Sequence, residues 1–106
     1  MASQYEILRL TVLTELYKTA GRISSLQRLS PNEDNANHAD YWGTKFINAN
    51  FRIWGQFTNA TCDGRVCSII SDLAELNTLI DWIQHKIHRD MCPSTEEVTK
   101  RLAHLM

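Results

Sequence analysis

The sequence predicts an all-α protein, a small bundle of about four helices. Two patterns carry that expectation. Helix-start signatures recur along the chain, and apolar residues follow them in steps of three and four rather than two. The connections this leaves are short, which favours antiparallel neighbours. The 106 residues suit a single domain, 1–106, large enough for a modest core.

Three capping boxes mark helix starts: Ser3 with Glu6, Ser30 with Glu33, and Ser94 with Glu97. In each, the hydroxyl accepts from a free amide of the first turn and the carboxylate reaches back to the cap. Pro31 would stand at a first helical position, where its missing N–H costs nothing.

The first helix is expected from about Gln4. Tyr5, Leu8, Val12 and Leu16 make one apolar row, and Leu10, Leu13, Tyr17 and Ala20 a second, together a broad buried face. Gly21 is a point at which this helix ends or bends. Ile23, Leu26 and Leu29 continue the pattern as a last turn or a short separate helix.

The second helix has its start signal at Pro31, but "NEDNAN" is a poor helix former and those turns are expected to fray. From Ala39 the row Ala39, Trp42, Phe46, Ala49, Ile53, Phe57, Ala60 keeps helical spacing. Within it, "FINANFRIWGQF" also alternates in twos from Ile47 to Trp54. Gly43 and Gly55 lower helix propensity there. An α+β alternative follows, with a hairpin within 46–70 turning at "CDG".

The third helix has the longest repeat: Val66, Ile69, Leu73, Leu76, Ile80, Ile83, Ile87. Asp63 is the expected cap, Leu79 and Trp82 widen the stripe, and Pro93 closes the element by disfavouring helix at Cys92. The fourth, "TEEVTKRLAHLM", turns Val98, Leu102 and Leu105 inward.

Composition narrows the function. Eleven basic and twelve acidic residues give a net charge of −1, which argues against a protein built around nucleic acid. There is no run of about 18 apolar residues for a membrane span. The opening "MASQYEILRL" has no basic stretch leading an apolar one, so no secretory signal is expected. An odd count of three cysteines fits free thiols in a reducing cytoplasm. The "NAT" at 59–61 is then a chance match to a glycosylation acceptor.

No motif for catalysis stands out. A strained Gly-x-Ser-x-Gly elbow and a glycine-rich phosphate loop are both missing, so no enzyme, cofactor or small-molecule substrate is expected. Asp81, His85, His88 and Cys92 share a helix face, but four ligand-competent side chains at that spacing read best as a solvated face, and no metal is expected. Cys62 and Cys67 lack a second pair for zinc, and Cys67, beside the heptad stripe, is expected to be buried.

The stretch "LIDWIQHKIHRDMCPSTEEVTKRLAHL" resembles the opening of helix-turn-helix and winged-helix domains of the LexA-repressor type. The matching pieces are Leu79 to Ile87, Pro93-Ser94, Glu97-Val98 and Arg101-Leu102. The resemblance implies a DNA-binding regulator with Lys86, Arg89, Lys100 and Arg101 around the turn. The sequence stops at Met106, where the recognition helix would begin, so no DNA contacts are carried over.

The leading expectation is instead a small non-enzymatic regulator acting by protein–protein contact, an inhibitor or adaptor of a larger partner or a homodimer, of the size of phage or bacterial accessory factors. Ile47, Phe51 and Trp54 form a second apolar row on the second helix, with Arg52 beside it. A helix apolar on two sides is either central in its bundle or exposes a patch, and aromatics with Arg are the composition of interface hot spots.

Overall fold

The structure is a computed structural model that describes residues 3–28, 41–89, 91 and 93–105. It contains α1 (Gln4–Arg28), α2 (Trp42–Thr58), α3 (Asp63–His88) and α4 (Thr95–Leu102), followed by one 3₁₀ turn, Ala103–Leu105. There is no strand among the described residues, and the fold is an all-α bundle. The Ser30 capping box, Ala39 and Cys92 lie outside the described residues.

The ends form as their residues dictate. Ser3 and Glu6 satisfy one another: the Glu6 amide donates to Ser3 Oγ at 3.2 Å, and the Ser3 amide donates to Glu6 Oε2 at 3.3 Å. Ser94 Oγ accepts from the Glu97 amide at 3.1 Å. α3 departs from expectation, because Asp63 is already its first helical residue and Cys62 holds the cap position without a side-chain bond. Gly21 neither ends nor divides α1, which continues to Arg28.

The helices alternate in direction. Tyr5 reaches Ala60 while Tyr17 meets Trp54, so α1 and α2 are antiparallel. Thr19 pairs with Asn77 and Arg22 with Asp81, so α1 and α3 run the same way. Arg101 covers Trp82 and His104 Nε2 lies 2.6 Å from Glu75 Oε1, so α4 returns along α3. The result is a rod of 48 × 21 × 19 Å. The longest helix, α3, accounts for about 39 Å of that length at about 1.5 Å per residue.

One continuous core fills the rod. Val12, Leu16, Ile23 and Leu26 of α1 meet Trp42, Phe46, Ala49, Ile53 and Phe57 of α2 and the α3 repeat from Val66 to Ile83. Val98, Leu102 and Leu105 close one side. α2 contacts every other helix, which is why its main row is buried along its full length. That burial also removes the hairpin alternative for 46–70. As a strand, the chain would turn alternate members of this row to opposite faces. Gly43 tolerates its helical position for a packing reason. The Tyr41 ring lies over it, and a Cβ there would stand 2.5 Å from Tyr41 Cε1.

Two features hold the register of the helices. Arg9 donates to the Phe57 and Ala60 carbonyls at 3.4 and 3.0 Å, and its guanidinium lies 4.4 Å from the Phe57 ring centroid. Tyr5 Oη donates to the Ala60 carbonyl at 2.9 Å. A cation is thereby placed on the C-terminal carbonyls of α2, where the helix dipole favours it. Between α1 and α3, Asn77 Nδ2 donates to Thr19 Oγ1 and to the Leu73 carbonyl, both at 2.9 Å, while its Oδ1 accepts from Arg22 Nη1 at 2.6 Å. Arg22 also pairs with Asp81. Thr19 is fully buried. A buried polar pair of this kind penalises any slip of one helix along the other, since a slip would leave its groups unpaired.

Three expectations about burial are corrected. Leu10 and Tyr17, assigned to a buried row, are 62% and 65% exposed. α1 packs chiefly on α2 and α3, so its contact face is narrower than the apolar pattern suggests, and Thr19 takes a core position. Cys67 is exposed, as is Cys62, because position 67 falls just outside the α3 stripe.

Candidate functional site

The residues singled out on α2 divide between its two edges. Trp54 turns toward α1 and is half-buried. Its ring stands edge-on to Tyr17, with centroids 5.3 Å apart at 80°, and edge-on to Phe57 at 6.5 Å. Ile47, on the same side, is also half-buried. Phe51, one turn before Trp54, is 68% exposed. Arg52 does not belong to this edge. It lines the groove between α2 and α3, together with Arg65 and Asp72. Consecutive helical residues differ by about 100° in direction, so Phe51 and Arg52 cannot both serve one flat surface.

What the aromatic edge gains comes from α1. Ile7, Leu10 and Tyr17 share one strip of that helix and are all more than half exposed. Leu10 and Ile7 border a shallow depression of about 330 Å³ with Thr11 and Thr14. The Tyr17–Trp54 contact joins this strip to the edge of α2 on which Phe51 stands exposed one turn before Trp54, and together they form an apolar ridge along the α1–α2 edge. Sequence reasoning placed Leu10 and Tyr17 in the core, because an apolar residue beside a buried row looks the same whether a neighbour covers it or not. Isolated exposed apolar residues are ordinary, but a joined strip of this length on a small rod is the feature that marks contact surfaces.

The four cations of the α3–α4 turn are drawn into local packing. Arg101 lies 4.3 Å from the centroid of Trp82, and Lys86 approaches the same ring at 5.7 Å. Lys100 pairs with Glu96 one turn earlier, at 3.6 Å. Arg89 is exposed and caps the end of α3 through its backbone. The turn therefore brings Lys86 and Arg101 together over one indole and leaves Lys100 directed to a carboxylate. His85 and His88 are exposed and Asp81 is engaged by Arg22. Among the described residues no cluster of three or more His, Cys, Asp or Glu is placed to hold a metal ion. No helix among them is long and apolar enough to cross a membrane.

Comparison with known proteins returns no match to any family model, curated protein or solved structure.

Proposed function

We propose that this protein is a non-enzymatic regulator that works by binding another protein, as inhibitor or adaptor, through the ridge of Leu10, Tyr17, Trp54 and Phe51. The observation behind this reading is that Phe51 and Tyr17 stay more than 60% exposed while the core beneath them is complete without them. Tyr and Trp supply large contact area with few rotatable bonds, and hot spots are enriched in them. The edge-on Tyr17–Trp54 pair adds rigidity, which reduces the entropy lost on binding.

The test is a photo-crosslinking amino acid introduced at position 51 in cells, with the same group at exposed Thr78 on α3 as control. Position 51 is expected to give a discrete adduct, with a partner or with a second copy of the chain, that disappears when Tyr17 is changed to Glu. Equal adduct patterns at 51 and 78 would refute the proposal. Light scattering over a concentration series separates self-association from a foreign partner, since the chain mass is 12.2 kDa.

A further inference from the structure

On the opposite edge of α2 lies a second surface of different chemistry. An open groove of about 660 Å³ runs between α2 and α3. Its α2 wall carries Arg52, Gln56 and Asn59, and its α3 wall Arg65, Ser68 and Asp72. In each set the first and last residues are seven positions apart, or about 10 Å along the helix. Because α2 and α3 are antiparallel, Arg52 stands at the Asp72 end and Arg65 at the Asn59 end, next to the interhelical turn. A guanidinium therefore marks each end of the groove.

These side chains are uncommitted. Among the described residues, Arg52, Gln56, Arg65, Ser68 and Asp72 make no side-chain hydrogen bond or ion pair. Asn59 donates its Nδ2 to the Gly55 carbonyl at 3.0 Å, so its Oδ1 remains as an acceptor. Arg9, Arg22, Lys100 and Arg101 are by comparison each engaged by a carbonyl, a carboxylate or a ring. Gly55 sits in the same wall, and a Cβ there would meet no atom within 4 Å.

We propose that this groove binds a short acidic peptide segment of the partner protein, in extended form, with a carboxylate on each guanidinium; the proposal rests on the protein-binding reading above. The ligand class follows from the mixture of groups. Guanidiniums, Gln56 and Ser68 donate, while Asp72 and Asn59 Oδ1 accept. A peptide backbone presents both N–H and C=O and can meet both kinds. A phosphate or a nucleic-acid backbone presents acceptors only and offers no N–H to Asp72 or to Asn59 Oδ1. Arginine forks take carboxylates in bidentate geometry. At about 3.3 Å per residue, an extended segment of about four residues carries acidic side chains from one end of the groove to the other.

The probe is the capped peptide Glu-Gly-Ser-Glu, titrated into the ¹⁵N-labelled full chain and followed by amide and arginine Nε chemical shifts. Saturable shifts confined to α2 and α3 around the groove, including both Arg52 and Arg65 Nε, are expected. Affinity should fall roughly tenfold in Arg52→Gln and in Arg65→Gln. Both arginines are exposed, so the fold is unaffected. Gly55→Leu, placed in open space, should abolish the shifts while the protein stays folded, and the peptide with Lys in place of Glu should produce none. Equal shifts with inorganic phosphate alone would overturn the proposal, by making the groove a simple anion site. So would unchanged binding in Gly55→Leu, or no saturable shift at millimolar peptide. Shifts that fall on Tyr17 and Phe51 instead would overturn the groove assignment while leaving the ridge reading intact.

Discussion

Two phenylalanines on one helix should behave in opposite ways. Phe46 is fully buried in the core of α2, and Phe51, five residues later, is 68% exposed. Truncating a buried Phe to Ala typically costs 3–5 kcal/mol, through lost transfer energy and the cavity left behind. For Phe51 only about a third of the side chain is covered. With roughly 200 Å² for a whole Phe and about 25 cal/mol per Å², that burial contributes roughly 1.5 kcal/mol. Alanine recovers about 0.5 kcal/mol through its better helix propensity. The net cost of Phe51→Ala is therefore about 1 kcal/mol. At roughly 5 °C of Tm per kcal/mol for a domain of this size, Phe46→Ala should lower Tm by about 15 °C or more and Phe51→Ala by about 5 °C. Urea unfolding followed by circular dichroism measures both, with m unchanged in Phe51→Ala. If Phe51→Ala proves as damaging as Phe46→Ala, then Phe51 is a core residue and the ridge that underlies the functional proposal does not exist.

Other outcomes follow from the same structure. Asn77→Leu removes the partner of fully buried Thr19 and an acceptor of Arg22, and should cost about 1–3 kcal/mol in chemical denaturation; an unchanged midpoint would show that this bridge contributes nothing to stability. Gly55→Ala should stabilise the protein by about 0.5–1 kcal/mol, read as a raised Tm, because the added methyl meets no neighbour and the helix loses its most flexible residue. Cys62 and Cys67 are both exposed, so at least two thiols should react with an aromatic disulfide reagent without denaturant. Protection of either until unfolding would contradict their placement.

Most of the architecture was legible in the chain because its cues are local. A hydroxyl three residues before a carboxylate specifies a helix start from side-chain reach alone, and Ser3–Glu6 and Ser94–Glu97 formed where expected. Trp42, Phe46, Ala49, Ile53 and Phe57 repeat at helical spacing and are buried together. Asp63 shows the limit of such cues, since one residue of difference in where α3 begins moved the cap to Cys62.

What remained hidden in the sequence depends on which neighbour stands beside each face. Periodicity orients side chains about their own helix axis, but it carries no information on how many helices share that face. Leu10 and Tyr17 therefore looked like core and became surface, while Thr19, outside both apolar rows, is buried and paired to Asn77 across fifty-eight positions of chain. The same holds for Arg52, which reads as a companion of Phe51 in one dimension. Packing α2 between α1 and α3 assigned the two residues to opposite edges, one apolar and one charged. The helices and their buried stripes follow from short-range stereochemistry. The two exposed surfaces exist only because four stripes had to close on one another and could not cover everything around them.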